Sequence, residues 1–319
     1  MREKIKEIFI QKRHQFVSGE EISKQLNISR TAVWKHIEEL KKEGYQFEAI
    51  RKKGYRLLND PDDISKERLK ASISTKWMGK EIIYLPEVDS TQRVAHELAR
   101  NGALHGTVVI TDNQTKGKGR LGRNWFSRKG KGIWMSFILR PSFPYHHAPQ
   151  ITLFTSVILA NTLKKLYKVN FMIKWPNDIY INGKKVSGIL TEIHGEQDQI
   201  HYMIIGIGIN THQIDFPEEL KEKATSIEKE IGYVPKRIEF ITYFFSEFEQ
   251  EYLHFLKDGF APYYKQYNNA LYGKGKRIKL RQFNEEIEGT IVSIDQNGYL
   301  ILRQDNGREE KVVSGDIFF

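Results

Sequence analysis

Apolar residues Ile5, Ile8 and Phe9 fall three to four positions apart, the spacing of one buried stripe on a helix. Ser18 followed by Glu21 has the form of a capping box, and Ile22 and Leu26 supply the buried side of a second helix. Asn27-Ile28 reads as a tight turn. Ser29 can cap a third helix, with Val33, Ile37 and Leu40 at i, i+4 and i+7, and Gly44 ends it. The polar side of that helix shows Arg30, Thr31, Trp34, Lys35 and Lys42. Two short strands follow around Arg51, Lys52, Lys53 and Gly54, with Tyr55, Leu57 and Leu58 after the turn. Three helices and a basic hairpin in this order predict a winged helix-turn-helix. Its third helix would enter a major groove and its hairpin would track phosphates. The DNA-facing residues are then Ser29, Arg30, Thr31, Trp34, Lys35, Arg51, Lys52 and Lys53. A small helical domain that contacts other proteins satisfies the same pattern.

The texture changes after Pro61-Asp62-Asp63, a turn signal read as a linker. Residues 81–85, 107–111, 133–139, 171–174, 179–181, 186–193 and 202–209 read as strands. Asn182-Gly183 is a strong two-residue hairpin turn that pairs Ile181 with Lys184 and Tyr180 with Lys185. Val94 and Leu98 mark a helix that Asp89-Ser90-Thr91 can cap. Residues 150–167 form a long, mostly apolar helix, and Ile238, Ile241, Phe245, Phe248, Tyr252 and Phe255 mark another. After Gly273-Lys274-Gly275 only short strands remain. The pattern predicts an α+β protein in three parts. Residues 1–62 form the winged helix-turn-helix. Residues 66–270 form a central α/β domain on a mixed, largely antiparallel sheet. Residues 273–319 form a small SH3-like β-barrel.

A chain of 319 residues with 39% apolar and 12% aromatic content has enough material for such cores. It has no cysteine, which excludes disulfides, thiolate metal sites and a cysteine nucleophile. The N-terminal stretch lacks the apolar core of a signal peptide, and no segment approaches the ~20 apolar residues of a membrane span. A cytoplasmic protein is expected. Net charge is +10, which favours anionic partners. Residues 1–60 carry fourteen basic and nine acidic side chains. Residues 113–177 hold twelve Lys and Arg and no acid, and 113–132 alone has five glycines and seven Lys or Arg.

That glycine-rich basic loop, Asn-Gln-Thr-Lys-Gly-Lys-Gly-Arg-Leu-Gly-Arg from Asn113 to Arg123, raises the question of what so much flexible positive charge serves. Glycines let backbone amides approach an anion, and Lys118, Arg120 and Arg123 add charge for phosphate or carboxylate oxygens. It is neither a Walker A loop nor a dinucleotide fingerprint. Alone it fits a nucleotide site or a mobile, RNA-binding surface loop. A second cluster runs from Lys174 through Trp175, Pro176, Asn177 and Asp178 to Lys185 and Gly188. Lys185 near an acid and a basic loop suits polarisation of a carboxylate or an α-phosphate. It equally suits a solvated hairpin lysine. A third, Gly206-Ile-Gly-Ile-Asn210, ends an apolar strand, where Asn210 either meets a ligand or terminates the strand.

Together and in this order, Gln114-Thr-Lys-Gly-Lys-Gly-Arg-Leu-Gly-Arg123, Lys174-Trp-Pro-Asn-Asp178, Lys185-Val-Ser-Gly188-Ile-Leu and Gly206-Ile-Gly-Ile-Asn210 resemble the biotin–protein ligases. With the winged helix and the all-strand C-terminus, the resemblance is to the bifunctional bacterial type, ligase and biotin-operon repressor, over essentially the whole chain. It implies that Ser90, Thr91, Gln92, Gln114 and Gly188 surround the biotin head group. Lys118, Gly119 and Arg120 would fold over biotin and the acyl phosphate. Lys185, with Arg120 and Arg123, would carry catalysis, and Arg123, Trp125, Asn177, Asp178 and Asn210 would meet ATP. Asp178 would orient the site or Mg²⁺. The family usually has Arg where this chain has Lys118, which keeps the charge but loses the bidentate fork.

The implied reaction makes biotinyl-5′-AMP from biotin and ATP with Mg²⁺, then passes biotin to a lysine of a biotin carboxyl carrier domain. The other implied partners are operator DNA and, with biotinyl-AMP bound, a second copy of the chain. A flexible cationic loop that closes over a reactive adenylate accounts for flexibility and charge at once. A lipoate–protein ligase does the same chemistry on a related fold, but the winged helix and the paired Lys174 and Lys185 motifs argue against it. A non-catalytic ligand-sensing transcription factor is opposed by the intact loop and Lys185.

Overall fold

A computed structural model describes residues 1–12, 15–59, 62, 64–196, 199–233, 235–282 and 285–318. The chain forms two compact units, Met1–Ser74 with Lys236–Thr242, and Thr75–Pro235 with Tyr243–Phe319.

The first unit holds α1 (Arg2–Gln11), α2 (Gly19–Leu26), α3 (Arg30–Lys42), the hairpin β1 (Gln46–Ile50) and β2 (Gly54–Asn59), and α4 (Lys66–Ser72). Its caps are those expected. Ser18 Oγ accepts from the Glu21 amide and Ser29 Oγ from the Ala32 amide, each such cap stabilising a helix by about 1 kcal/mol. Asn27 stops α2 in the left-handed conformation. The helical stripes converge: Ile5, Ile8, Phe9, Ile22, Val33, Ile37 and Leu40 join Val17, Tyr45 and Leu57 in one buried core. Leu58 points the other way and is exposed. Gly54 is required where it stands. Its φ is +101°, and a Cβ there would lie 2.2 Å from the Val17 carbonyl oxygen. Of the linker expected at 61–63, Pro61 and Asp63 lie outside the described residues. Asp62 accepts from the Arg237 amide at 2.8 Å and forms a buried ion pair with its guanidinium.

The second unit is built on a seven-stranded sheet of order β3-β4-β5-β9-β8-β7-β6. The strands are β3 (Ile82–Leu85), β4 (Val108–Thr111), β5 (Gly132–Leu139), β6 (Met172–Lys174), β7 (Asp178–Ile181), β8 (Lys184–Glu196) and β9 (Gln199–Asn210). Only β3 and β4 run parallel; the other pairs are antiparallel. Both faces are covered, so β5 is buried along its whole length. Alternate residues serve opposite faces. Val109, Ile138 and Ile204 pack on Ala95 and Ala99 of α5 (Thr91–Arg100). Phe137 faces the other way and meets Phe248 edge-on at 5.0 Å. That second layer comprises α6 (Ala148–Tyr167), α8 (Arg237–Asp258) and α9 (Tyr264–Asn269), while a short α7 (Ile227–Ile231) lies in the connection after β9. Phe154 of α6 contacts Phe248 and Phe255 of α8. Each large side chain buried here stabilises the fold by about 1.5–3 kcal/mol.

The C-terminal strands β10 (Arg277–Gln282), β11 (Glu285–Ile294), β12 (Leu300–Arg303), β13 (Glu309–Val312) and β14 (Asp316–Phe318) make an antiparallel sheet of order β13-β12-β11-β10-β14. Asn268 clamps it through both its amide and carbonyl to Ile294. The buried Trp175 indole donates to the Gly298 carbonyl at 3.0 Å. Trp175 is thus packed against the C-terminal strands, and it borders the same cavity as its neighbours Lys174, Asn177 and Asp178.

Candidate active site

A row of paired residues crosses five adjacent strands: Lys174 opposite Asp178, Asp178 opposite Gly188, Gly188 opposite Gly208, and Gly208 opposite Trp134. Paired residues share a face; on it Lys174, Asp178, Gly188 and Gly208 border one cleft, and Trp134 lies buried at the end of the row. The two glycines make the floor of the cleft. A Cβ on Gly208 would sit 2.4 Å from the Trp125 indole, and one on Gly188 3.0 Å from it. The next row, Leu190, Gly206 and Ser136, continues that floor. A Cβ on Gly206 would meet Gln92 Oε1 at 2.5 Å.

Lys185 reaches this face through an irregularity. In an unbroken strand, residues 185 and 188 point to opposite sides. A register shift opposite Ile179 and Tyr180 inserts one extra residue in β8, and Val186 and Ser187 are buried in succession. The bulge re-aims Lys185 into the cleft. Its ammonium lies 2.7 Å from Asp178 Oδ1 and 5.2 Å from the Trp125 ring centroid. The ion pair is close, but its angles fall short of a hydrogen bond, leaving Asp178 Oδ1 without one. Lys185 is held from behind: its amide donates to Lys223 O and its carbonyl accepts from the Thr225 amide.

The inner end of the cleft is polar and ordered. Gln114 Oε1 accepts from the Thr91 amide and hydroxyl at 2.9 and 3.1 Å. Gln114 Nε2 donates to Ser127 Oγ. The Thr91 and Ser136 hydroxyls lie 2.8 Å apart, and Ser136 donates to Gln92 Oε1. Ser90 stands at the cap position of α5 but does not cap it with its side chain. Asp89 instead accepts from the Ser90 amide, and Ser90 Oγ is buried with no hydrogen-bond partner. The residue lines the inner wall of the cleft.

The basic loop forms a tight hairpin over this cleft. Lys118 bridges to Asn124, Gly119 N donates to Arg123 O, and Trp125 N donates to Gly117 O. Leu121 at its tip has a positive φ and is 77% exposed. Its arginines diverge. Arg120 Nη1 donates to Asn177 Oδ1 at 2.8 Å, while Asn177 itself is buried and donates to Ile189 O. Arg123 forms an ion pair with Asp316 of β14. Lys118 lines the inner cleft and also borders a side hollow with His96 and Glu192. There a hydrogen bond from His96 holds the Glu192 carboxyl below its ordinary value, aided by Lys118.

Two cavities meet at Lys185. The inner one, about 150 Å³, is lined by Ser90, Thr91, Gln92, Gln114, Lys118, Gly119, Gly188 and Gly206. The outer one, about 640 Å³, is lined by Lys174, Phe126, Tyr180, Asn210, Phe216 and Lys223. Arg120, Arg123, Trp125, Asn177, Asp178, Lys185 and Asp316 border both. The tertiary fold therefore brings every expected ligase-site residue to one connected cleft, with Asn210 on its outer side only. There Asn210 Nδ2 is already engaged with Thr225 O at 3.0 Å. Sequence reasoning singled out the Gly206-Ile-Gly-Ile-Asn210 stretch but gave Gly206 and Gly208 no part in the site, and it missed Ser136 and Asp316. The two glycines had a signal, since Gly-Ile-Gly in a strand puts two bare positions on one face. Ser136 and Asp316 had none.

In the first unit, Arg30, Thr31, Trp34 and Lys35 are exposed on α3, and Arg51, Lys52 and Lys53 form the exposed hairpin turn. Arg30, Thr31, Trp34, Arg51 and Lys52 border one open groove. Ser29 serves first as the helix cap. The groove carries positive charge from both helix and hairpin, with Glu20 also on its border.

A small slot that opens, past a lysine and two arginines, into a larger cationic cavity is the arrangement of an acyl-adenylate-forming ligase. The biotin/lipoate A/B protein ligase family matches residues 84–210, an HTH domain residues 2–56, and the biotin protein ligase C-terminal domain residues 274–319. The bifunctional ligase/repressor BirA of Bacillus subtilis is 43% identical over 99% of this chain and 98% of its own. That of Escherichia coli is 31% identical, covering 91% and 89%. Among solved structures, the biotin protein ligase from Aquifex aeolicus in complex with biotin and ATP aligns with a TM-score of 0.66 at 31% identity, over 75% of this chain and 98% of that one. The chain belongs to the family of bifunctional biotin ligase/repressors.

Proposed function

We propose that this protein joins biotin to ATP as biotinyl-5′-AMP, passes the biotinyl group to a lysine of a biotin carboxyl carrier domain, and acts as a biotin-responsive transcriptional repressor. The observation that carries the enzymatic half is the glycine-floored slot that meets the outer cavity at Lys185. The division into residues 1–62, 66–270 and 273–319 assigns DNA binding, catalysis and a supporting β module in turn.

In the proposed pathway the biotin head group enters the inner slot against Ser90, Thr91, Gln92, Gln114 and Gly188. The open Ser90 hydroxyl supplies a hydrogen bond there. The carboxylate then lies at the junction of the two cavities, beside Lys185, with the ATP α-phosphate on the far side near Arg120, Arg123, Trp125 and Asn177. The carboxylate oxygen attacks the α-phosphorus. The bond to the bridging oxygen breaks, and pyrophosphate leaves with the bonding pair, so no proton moves. Lys185 and Arg120 meet the charge that builds on the α-phosphate oxygens. Lys118, Gly119 and Arg120 then cover the adenylate and exclude water. In the second step the acceptor lysine, as the free amine, attacks the acyl carbon; the acyl carbon–oxygen bond breaks, AMP leaves with the bonding pair, and the nitrogen's extra proton passes to solvent.

Mg²⁺ is carried in as part of MgATP, where it neutralises phosphate charge. No group of three or more metal-binding side chains occurs among the described residues. Asp178, whose Oδ1 makes no hydrogen bond, fits the one-carboxylate support such an ion takes when phosphates supply its other ligands.

For the repressor half, a single winged helix makes few phosphate contacts and binds weakly, and two half-sites need two copies. The ligand cleft and the α3 groove lie in different units. Adenylate binding must therefore act on an element that both sites bias. The loop at 113–132 fills that role by presenting a dimer surface once closed. The protein works in the cytoplasm, and no described helix is long and apolar enough to cross a membrane.

Incubation with biotin, ATP and Mg²⁺ is expected to yield bound biotinyl-AMP by mass spectrometry. Pyrophosphate exchange should depend on biotin and not lipoate; exchange driven by lipoate alone would reverse the assignment. Sedimentation velocity should show more dimer with biotinyl-AMP than with biotin. Equal self-association would remove the link between biotin and DNA.

A further inference from the structure

Glu192 and His96 have no part in the steps above, yet they stand at the rim of the slot. Along β8 and β9, Gly188 pairs with Gly208, Leu190 with Gly206 and Glu192 with Ile204. Glu192 therefore shares the face of the glycine floor, two rows further along. Helix α5 packs on that face, and its residues Gln92 and His96, four apart, lie on one side of the helix. Gln92 accepts from Ser136 inside the slot. His96 Nε2 lies 3.0 Å from Glu192 Oε2, and its Nδ1 lies 3.4 Å from the hydroxyl of the buried Tyr202. The His96 hydrogen bond holds the Glu192 carboxyl below its ordinary value against desolvation, with help from Gln92 and Lys118. An ionised carboxylate can only accept, so His96 donates from Nε2. Lys118 comes to the same place from the basic loop. It borders the inner slot, the side hollow of His96 and Glu192, and a further hollow that Gly119, Arg120 and Leu121 share with Leu190, Thr191 and Glu192. Arg120 and Arg123 tie the rest of the loop to Asn177 and Asp316; neither contact holds the arm that carries Lys118.

We infer that Glu192, oriented by His96, is a positioning residue that draws the Lys118 ammonium onto the rim of the slot and so holds the inner arm of the basic loop closed over the adenylate. The role deepens the ligase reading and rests on it. In the proposed pathway the acyl phosphate lies at the mouth of the slot, within the region Lys118 borders. An ammonium has three donors, so Lys118 can meet the adenylate on one side and the rim carboxylate on the other. The loop is then fastened to β8 while the adenylate is bound. Glu192 is 40% exposed, so water screens the pair and its contribution is modest. It sets how long the adenylate is kept and leaves the bond-making groups at Lys185 untouched. A glutamate that merely packed against α5 would show its effect whether or not Lys118 were present.

The test uses the full-length chain with Glu192→Gln, Lys118→Met, Lys118→Arg, and Glu192→Gln combined with Lys118→Met. Chemically made biotinyl-AMP is bound to each and its dissociation followed. Glu192→Gln keeps the size of the side chain and removes its charge, and should speed release roughly two- to fivefold, the range of a partly exposed ion pair. Lys118→Met should speed release at least as much, and the combined substitution should be no faster than Lys118→Met alone. Lys118→Arg should keep release slow, because it keeps the charge. KM for ATP should change less than about twofold in Glu192→Gln. Unchanged release in Glu192→Gln overturns the role. So do effects that multiply in the combined substitution, since Glu192 would then act without Lys118. So does a loss confined to transfer onto the acceptor domain, which would place Glu192 in the acceptor's contact. Failure of the unsubstituted chain to hold biotinyl-AMP strikes the ligase reading instead. Hydrogen exchange at the amides of 117–119 in the ligand-free chain then decides the role: faster exchange in Glu192→Gln supports it, and equal exchange overturns it.

Discussion

Lys185→Ala removes the cation paired with Asp178 where the two cavities meet and leaves the hairpin around it in place, because the contacts with Lys223 and Thr225 use main-chain atoms. The side chain is 29% exposed and its partner Asp178 19% exposed, so neither bulk water nor a dry interior describes the site. At an intermediate effective dielectric, a charge about 4 Å from a phosphate oxygen interacts by ~4 kcal/mol. Loss of a single preorganised donor typically costs ~3–4 kcal/mol, or roughly 10²–10³ in rate. The substitution also strands the Asp178 carboxylate beside incoming phosphates, which pushes the loss towards the upper figure. The assay is single-turnover formation of biotinyl-AMP, quenched and quantified by mass spectrometry. Thermal melting and ligand-free DNA binding serve as controls and should be unchanged. Adenylation within threefold of the unsubstituted protein would remove Lys185 from the chemistry. Equal losses of biotin affinity and adenylation rate would show that it serves binding alone.

Arg120 ties the loop to Asn177, so Arg120→Gly should release biotinyl-AMP at least tenfold faster, as roughly 1.5–3 kcal/mol per charged hydrogen bond implies. It should also label lysines of non-cognate proteins; an unchanged off-rate would contradict this. Gly54→Ala puts a Cβ 2.2 Å from Val17 O at a φ of +101° and should destabilise the first unit by about 2–4 kcal/mol, seen as lost DNA binding with adenylation retained. Glu249 accepts from the amides of Lys76, Trp77 and Met78 at 2.6–2.9 Å. Desolvation raises its pKa, but these three bonds outweigh it and hold the carboxyl below its usual value. Its contribution is therefore complete above the unfolded-state pKa and is lost as pH falls through the lower folded value. Glu249→Gln should melt earlier at pH 7, by about 1–2 kcal/mol, and the gap should close in acid. A gap that persists below about pH 3 would show that charge is not its source.

Local pattern was enough for the first unit. Its capping serines, helical stripes and turn glycine all act within a few residues, and the positions that read as buried are those that meet in the core. The hairpin at Asn182-Gly183 kept the register its turn dictates for its first two pairs. The order of motifs along the chain also carried the family, because loop, lysine and glycine types are written in sequence. Three things needed the tertiary structure. The bulge at β8, which turns Lys185 onto the face of Gly188, depends on pairing with β7 and leaves no residue signature. The glycine floor becomes a floor only when β8 and β9 align Gly188 opposite Gly208. Asp316 enters the site from a C-terminal strand that lies 193 residues from Arg123 in the chain, and periodicity is blind to separations of that length. Local sequence determines which face a residue takes within its own element; strand register, bulges and docking decide which faces share a cavity.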